Sequence, residues 1–286
     1  MPAGDPPSVP VGDLLRFIDE DAPSGDLTSA ALAPLGRCRA EIRAKAAGVV
    51  AGIAEASALF THYGVSVEPA LADGDACGPG SLVMTLEGEA DGILLVERTA
   101  LNLLSRMSGI ATATRAMVTA AERVKPTLRI AATRKTCPGM RELDKKAVVI
   151  GGGEAHRAGL SDMILIKDNH LKLLPLDEAV RRARNRAPSG RIEVEVTSTG
   201  EAIRAAEAGA GIVMFDNMDP ASIGEAIREL EAKGLRRRVF LEASGGIGPE
   251  NLEEYASLDL DRVSVGALTH SVRGLDLSLE IVSRTG

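Results

Sequence analysis

The chain has few aromatic residues and no tryptophan. It contains four Phe and two Tyr in 286 residues, and its 33 Lys and Arg are outnumbered by 40 Asp and Glu, for a formal net charge of -7. Nucleic-acid-binding proteins usually present a basic surface and aromatic rings that stack on bases. The shortage of rings and of positive charge therefore argues against a nucleic-acid partner.

The chain is also poor in cysteine. Cys38, Cys77 and Cys137 are odd in number and lack CxxC spacing, so we expect neither a disulfide framework nor a zinc site. This usage is typical of a reducing compartment and predicts a cytoplasmic protein. An apolar run of about 18 residues is missing, and the amino terminus lacks a basic start followed by an apolar stretch, so we expect neither a membrane span nor a secretory signal.

The overall composition, with 45% hydrophobic and 26% charged residues, is that of a folded protein. From about residue 128 onward, short buried-type apolar runs alternate with amphipathic stretches. The runs are Leu128 to Ala132, Met163 to Ile166, Ile192 to Val196, Ile212 to Phe215, Val239 to Leu241 and Val263 to Val265. Runs rich in Val, Ile and Leu are typical of strands in a parallel sheet.

The spacing of the predicted strand ends indicates repeated strand-helix units. The ends at Lys167, Glu195, Asp216, Ser244 and Gly266 are separated by 28, 21, 28 and 22 residues. Such units build a parallel α/β sheet or barrel. Six units, with a seventh left open, predict a barrel shorter than the usual eight units, which need about 250 residues.

The first hundred residues follow a different pattern and predict a small α+β domain. Segments 41–50 and 66–86 are short, partly alternating and punctuated by Asp73-Gly74-Asp75 and Gly78-Pro79-Gly80. A long helix is predicted from about Leu94 to Val124, with an interruption near Ser108-Gly109.

Positive charge is concentrated in one part of the chain. The segment from Arg98 to Lys172 has 14 Lys and Arg against six Asp and Glu, so it carries +8 and the remainder carries -15. For lysines in predicted helices, such as Lys145, Lys146 and Lys172, a solvent-exposed helix face is an equally good interpretation. Arg134, Lys135 and Lys167 instead follow buried strands directly, where a charge indicates an opening into a pocket.

Together with the adjacent His156 and Arg157, these cations predict a cavity for a small ligand that carries several carboxylates or phosphates. Glu195 and Asp216 lie at successive strand ends, where they could bind sugar hydroxyls or Mg²⁺, although simple neutralisation of the lysines stays open. The backbone of Ser244, Gly245, Gly246 and Gly266 could bind a phosphate at the last strands.

A series of motifs resembles one known family. In chain order they are Gly25-Asp26-Leu27-Thr28, Arg98-Thr99-Ala100-Leu101-Asn102, Ser108-Gly109-Ile110-Ala111-Thr112, Thr133-Arg134-Lys135-Thr136 with Pro138-Gly139, Gly151-Gly152-Gly153 to His156-Arg157, Leu165-Ile166-Lys167-Asp168-Asn169-His170, Glu193-Val194-Glu195-Val196, Asp216-Asn217-Met218, Glu242-Ala243-Ser244-Gly245-Gly246 and Val265-Gly266-Ala267-Leu268-Thr269-His270-Ser271. They resemble quinolinate phosphoribosyltransferase, the carboxylating nicotinate-nucleotide pyrophosphorylase, over nearly the whole chain.

The resemblance implies an enzyme, a pentosyltransferase of de novo NAD synthesis. It would convert quinolinate and phosphoribosyl pyrophosphate to nicotinate mononucleotide, pyrophosphate and carbon dioxide, with Mg²⁺ as cofactor. Arg98, Arg134, His156 and Arg157 would bind quinolinate, since guanidinium fits carboxylate well. Lys135 and Lys167 would face phosphate charges, Glu195 and Asp216 the ribose or Mg²⁺, and Ser244, Gly245, Gly246 and Gly266 the 5'-phosphate.

The resemblance also implies a two-domain architecture and an oligomer. An amino-terminal α+β open-faced sandwich would span residues 1–106 and be completed by residues 272–286, and a shortened α/β barrel would span residues 107–271. Members form homodimers or homohexamers with shared active sites, and Arg98 would reach into the barrel of the partner subunit.

Two departures from the family pattern concern the pocket: Ala155 stands where a polar Asn is common, and Cys137 where another small or apolar residue is usual. Three alternatives stay open. The first is the homologous protein found with molybdate transport genes, which tends to differ in the segment that is Lys167 to His170 here. The others are a non-catalytic barrel that binds an anion and an aldolase or isomerase barrel that uses Lys167 as a Schiff base.

Overall fold

The computed structural model describes residues 9–188 and 190–285, and within them the chain forms two compact units. Unit 1 comprises residues 9–115, 138–152 and 271–285, and unit 2 comprises residues 116–137 and 153–270. The segment Pro138–Gly152 groups with unit 1, whereas the predicted division at residue 106 assigned it to the barrel.

The described chain contains, in sequence order, α1 (Val11–Asp21), α2 (Leu27–Leu32), β1 (Arg37–Ala44), β2 (Gly48–Val49), α3 (Ile53–His62), β3 (Ser66–Pro69), β4 (Ala76–Cys77), β5 (Leu82–Glu89), α4 (Ala90–Val124), β6 (Arg129–Ala131), α5 (Arg141–Ile150), β7 (Ile164–Ile166), α6 (Asp168–Leu171), α7 (Leu176–Arg186), β8 (Ile192–Val196), α8 (Thr199–Glu207), β9 (Ile212–Asp216), α9 (Pro220–Ala232), a short 3-10 helix (Arg236–Arg238), β10 (Phe240–Ser244), α10 (Leu252–Ala256), β11 (Arg262–Ser264), α11 (Ala267–His270) and β12 (Leu277–Arg284).

Unit 1 is built on an antiparallel sheet with the strand order β12-β1-β5-β3. Strand β1 alternates between exposed and buried positions, so that Cys38, Ala40, Ile42 and Ala44 face the core. Successive side chains of a strand point to opposite faces of the sheet, so this alternation is expected where only one face is covered. The carboxyl-terminal strand β12 pairs with β1 along its whole length.

Helix α4 is continuous through Ser108-Gly109, so the predicted interruption there is wrong. A Cβ at Gly109 would collide with the backbone carbonyl of Arg273, and the Ser108 hydroxyl bonds to the backbone of Ala51 at 3.0 and 3.2 Å. The small residues therefore permit close packing inside unit 1 and do not break the helix. Gly151 acts similarly, since a Cβ there would lie 2.7 Å from the carbonyl oxygen of Ala111.

Unit 2 contains a parallel sheet with the strand order β6-β11-β10-β9-β8-β7. Its first strand, β6, pairs with its last, β11, as the circular order of an α/β barrel requires. Glu154 adds a parallel bridge to Ala131 on the other edge of β6. The predicted shortened α/β barrel with an amino-terminal sandwich is confirmed, and six predicted strands occur within a few residues of their expected positions.

The barrel strands are buried on both faces, but one face carries charge. In β8, Ile192, Val194 and Val196 alternate with Glu193 and Glu195, and all five residues are buried. Glu193 and Glu195 therefore share one face of the strand.

Across residues 9–188 and 190–285, no helix combines the length and the apolar character that a bilayer span needs.

Candidate active site

A cavity of about 480 Å³ opens in unit 2 where the barrel strands end. Carboxyl ends of barrel strands are where this architecture places its chemistry. The lining residues are Ala132, Thr133, Arg134, Lys135, His156, Arg157, Leu165, Lys167, Asp168, Asn169, Glu195, Met214, Asp216, Asn217, Ser244 and Ser264.

The structure brings most of the predicted site residues to this cavity. Eight of them line it: Arg134, Lys135, His156, Arg157, Lys167, Glu195, Asp216 and Ser244. Gly245 abuts the cavity-lining Asn217, and a Cβ at Gly266 would lie 3.2 Å from Cδ of Lys135. Gly246 follows with a φ of 63°. Arg98 is exposed on helix α4 in unit 1 and is not one of the lining residues.

The loop after β6 presents two cations whose backbone is fixed. The Lys135 N–H donates to Oγ1 of Thr133 at 3.1 Å, and the Lys135 carbonyl accepts from the Thr269 hydroxyl at 2.8 Å. Nε of Arg134 is buried and has no hydrogen-bond partner among the described residues. An unpartnered buried guanidinium donor is costly, so this group is suited to an anionic ligand.

A third cation, Arg157, completes the positive side of the cavity. Burial, followed by the neighbouring charge of Arg134, lowers the pKa of the Arg157 guanidinium. The Arg157 guanidinium nevertheless stays charged at neutral pH, because the ordinary pKa of arginine lies so far above it. Two guanidinium side chains that line one cavity fit a ligand with adjacent carboxylates.

The carboxylates of the cavity are each held by a neighbour. Lys167 donates to Oε1 of the nearly buried Glu195, and Asn217 Nδ2 donates to Oδ2 of Asp216 at 3.0 Å. Backbone also joins the strand ends, because the Asn217 N–H donates to the carbonyl of Ser244 at 2.8 Å.

Sequence reasoning missed several polar lining residues. They are Thr133, Asp168, Asn169, Asn217 and Ser264. Asn217 is the most informative, because it adopts a left-handed φ of 54° and packs its side chain against Gly245. Its place directly after a strand-end carboxylate was a usable signal, since asparagine tolerates this conformation better than most residues.

Below the cavity lies a buried cluster that the sequence did not reveal as a group. Nε2 of His156 lies 3.5 Å from Oε2 of Glu193 and 3.4 Å from Oε1 of Glu242, and both carboxylates are fully buried. Arg262 pairs with Glu242 through Nε at 2.6 Å, and the Ser264 hydroxyl donates to Glu242 at 2.5 Å. The cluster therefore connects three barrel strands, β8, β10 and β11, with the segment that follows Glu154.

The protonation of His156 is set by these neighbours. Burial alone would lower its pKa, but hydrogen bonding and charge from Glu193 and Glu242 raise the pKa to about 8. In the neutral ring, Nδ1 accepts from the Arg157 N–H at 2.7 Å, a bond that opposes protonation. Burial raises the pKa of Glu193, whereas His156 and Arg262 overcome burial at Glu242 and lower its pKa.

The residues present fit a magnesium ion only as part of a substrate complex. Within the described chain, Glu195 and Asp216 belong to no cluster of three metal-ligating groups. Mg²⁺ is commonly bound by one or two carboxylates together with substrate phosphates and water. Two carboxylates that face one cationic cavity match that arrangement.

The fold and this cavity together define a class of protein. An α/β barrel whose strand ends combine cations, paired carboxylates and a glycine turn is built to act on a small phosphorylated or carboxylated substrate.

The chain belongs to the quinolinate phosphoribosyltransferase family. The family profile described as "Quinolinate phosphoribosyl transferase, N-terminal domain" matches residues 26–108, and that of the C-terminal domain matches residues 110–280.

Individual relatives agree. The chain is 47% identical over 273 residues to the "Probable nicotinate-nucleotide pyrophosphorylase [carboxylating]" of Methanothermobacter thermautotrophicus, covering 94% of this chain and 98% of that relative. It is 38% identical to the human nicotinate-nucleotide pyrophosphorylase [carboxylating], with 94% and 90% covered. The solved nicotinate-nucleotide pyrophosphorylase of Francisella tularensis superposes with a TM-score of 0.87 at 32% identity, with 98% and 100% covered.

Proposed function

We infer that this chain transfers the phosphoribosyl group of phosphoribosyl pyrophosphate to quinolinate and releases carbon dioxide. The products are nicotinate mononucleotide and pyrophosphate, as in NAD biosynthesis. The observation that carries this inference is the cavity itself, in which Arg134, Lys135, Arg157 and Lys167 converge in an otherwise acidic protein. Membership in the family supplies the identity of the substrates.

Each part of the substrates has a matching group. We propose that Arg134 and Arg157 bind the two carboxylates of quinolinate. His156 lies beside them, but both of its ring nitrogens face protein groups. Lys135 and Lys167 would neutralise the pyrophosphate, and the turn at Ser244, Gly245 and Gly246 with Gly266 would bind the 5'-phosphate through backbone N–H groups.

Glu195 and Asp216 would hold the ribose hydroxyls, directly or with Mg²⁺, at neighbouring strand ends. The ion would neutralise pyrophosphate when bound and so make it a better leaving group. Lys167 keeps Glu195 in place, and Asn217 does the same for Asp216.

The chemistry then needs orientation and charge more than acid-base catalysis. The bond between the anomeric carbon and pyrophosphate breaks, and the pyridine nitrogen forms the new bond to that carbon with its lone pair. The C2 carboxylate next leaves as carbon dioxide, because the cationic ring accepts the electron pair, and C2 takes up a proton. The fixed guanidinium and ammonium groups hold the two substrates at this geometry.

Four further points are proposals. Mg²⁺ is the cofactor, the protein is cytoplasmic, the domain boundary lies near residue 106, and the chain forms a homo-oligomer with shared active sites. The free state of Cys38, Cys77 and Cys137 supports a reducing compartment. The exposed position of Arg98 supports its use by another subunit.

A direct assay tests the function. Purified protein is incubated with quinolinate, phosphoribosyl pyrophosphate and Mg²⁺, and nicotinate mononucleotide and carbon dioxide are measured. We expect product with quinolinate and little with nicotinic acid, which lacks the carboxylate that leaves. Absence of product, or equal turnover of nicotinic acid, would contradict the proposal.

Subunit complementation tests the shared site. Arg98→Ala and Lys167→Ala chains, each inactive alone, are mixed after mild dissociation. Recovery of activity is expected if one chain completes the barrel of another. A mixture that stays inactive, while wild-type chains treated in the same way recover, would show that Arg98 does not act across subunits.

A further inference from the structure

The buried cluster below the cavity consists of His156, Glu193, Glu242 and Arg262, and the steps of the proposed reaction do not use its carboxylates. Its two glutamates are fully buried inside the barrel, where an ionised carboxylate needs a compensating charge. Arg262 supplies such a charge to Glu242. Neither oxygen of Glu193 has a hydrogen-bond partner within the usual distance among the described residues, and Nε2 of His156 lies 3.5 Å away.

The histidine is held in an unusual backbone conformation at the same point. His156 has a φ of 52°, and apart from Asn217 it is the one non-glycine residue of the described chain with a positive φ. This region disfavours residues that carry a Cβ, so the surrounding contacts must hold His156 there. The side chain is 6% exposed, and its Nε2 faces the two carboxylates and not the cavity.

The segment is also anchored on its other side. Glu154 forms backbone hydrogen bonds with Ile130 and Ala132 at 2.8 and 2.9 Å, and its carboxylate pairs with Arg262 at 3.3 Å. Arg262 thus contacts both Glu154 and Glu242. Residues 154 to 156 are therefore tied to the barrel interior at both ends, and Arg157, which lines the cavity, follows immediately.

We propose that Glu193 and Glu242 are positioning residues for quinolinate, which lock His156 from below and thereby direct Arg157 at the substrate. This inference rests on the proposed function, because it assigns Arg157 to a quinolinate carboxylate. The two glutamates do not touch substrate. They fix the backbone turn from which the substrate-binding arginine projects.

The test uses Glu193→Gln and Glu242→Gln, which keep size and remove charge. KM for quinolinate is expected to rise by on the order of 10-fold to 100-fold, as displacement of a binding group by about 1 Å can cause. KM for phosphoribosyl pyrophosphate should stay within about twofold, because the glycine turn and the lysines are untouched. Glu193→Asp, which restores charge at this site, should recover part of the loss.

Glu55→Gln is the matched control, since Glu55 is an equally buried glutamate in unit 1, paired with Lys146 at 2.6 Å. It should lower the melting temperature and leave both KM values unchanged. If Glu193→Gln and Glu242→Gln behave like this control, their role is structural only and the proposal is overturned.

A double-mutant cycle tests the route through Arg157. In an Arg157→Lys background, Glu193→Gln should add less than about a twofold further rise in KM for quinolinate, since the group that it positions has already been changed. If the two substitutions instead raise the KM for quinolinate independently, so that their effects multiply in the double variant, the coupling is refuted. An inactive wild-type protein would contradict the proposed function itself. An active wild type whose glutamate variants keep the wild-type KM for quinolinate would contradict only this inference.

A metal centre is the competing use of the same three side chains, whose ligand atoms lie within 4.8 Å of one another. Wild type and Glu193→Gln are incubated with Zn²⁺ alone, dialysed and analysed for bound metal. We expect no retained ion in either, because Arg262 already neutralises Glu242. One ion per wild-type chain that is lost in the variant would overturn the positioning role.

Discussion

The two neighbouring glycines of the predicted phosphate turn should respond very differently to the same substitution. Gly245 has a φ of 96°, and a Cβ there would lie 2.6 Å from Cγ and 2.9 Å from the backbone nitrogen of Asn217. Gly246 has a φ of 63°, and a Cβ there would meet nothing within 4 Å. Gly245→Ala and Gly246→Ala therefore differ in packing while both place a side chain at positive φ.

The expected losses follow from these two contributions. A residue with a Cβ in the left-handed region costs roughly 1–2 kcal/mol, which is the whole expected effect of Gly246→Ala. Overpacking against a fixed neighbour costs roughly 1–3 kcal/mol more, so Gly245→Ala should destabilise the protein by roughly 2–5 kcal/mol. The neighbour that must move is Asn217, which holds Asp216 at 3.0 Å.

Urea unfolding and steady-state kinetics test this pair. Gly245→Ala should show the larger loss of unfolding free energy and a rise of at least about 10-fold in KM for phosphoribosyl pyrophosphate, since it displaces both the turn and Asp216. Gly246→Ala should keep KM much closer to that of wild type. Equal losses in the two variants, or a Gly245→Ala protein with unchanged stability, would refute the reasoning.

Three other predictions concern charge. Lys146→Met should destabilise the protein by about 3–5 kcal/mol because it leaves Glu55 buried without its partner. A double variant that adds Glu55→Gln should regain most of the lost unfolding free energy, as measured by urea unfolding. Additive losses of the two substitutions would contradict this prediction. The pKa of His156 rises from 6.5 to about 8 on folding, so its protonation should add about 2 kcal/mol of stability below pH 6.5. This stabilisation should disappear as the pH rises past 8. Unfolding experiments across that pH range should show the dependence in wild type and not in His156→Asn. Arg134→Ala and Lys167→Ala should each lower kcat/KM by at least about 100-fold with an unchanged circular dichroism spectrum, and a variant that keeps most activity would remove that residue from the site.

The sequence was most informative where local pattern and chemistry coincide. Apolar runs rich in Val, Ile and Leu identified six barrel strands; Thr133, Lys167 and Asp216 directly follow three of these runs, Glu195 lies near the end of a fourth, and all four residues line the cavity. Lys167, Glu195 and Asp216 could be found in this way because parallel strands bring all their carboxyl ends to one edge.

The same approach failed where the decisive contact joins distant segments. Gly109 looked like a helix break, since glycine is unfavourable within helices, but tertiary packing against Arg273 requires it there. Lys145 and Lys146 allowed a solvated helix face, yet both are buried, and Lys146 meets a glutamate that lies 91 residues earlier in the chain. Lys172 is exposed, as that interpretation allowed.

The cluster around His156 shows the limit most clearly. Glu193 could have been recognised as inward-facing, because it shares a strand face with Glu195. Its relation to Glu242 and His156 depends on strand register across β8, β9 and β10 and on a left-handed residue, and neither has a local signature.

By itself the sequence determined the barrel, the sign of the cavity and the excess of cations between Arg98 and Lys172, because hydrophobic period and charge are properties of the chain read in order. The shortage of aromatic rings also argued early against a nucleic-acid partner. The tertiary structure alone decided which charges line the cavity and which are paired in the interior. That division depends on burial and on distances between residues far apart in sequence, and these exist only once the chain has folded.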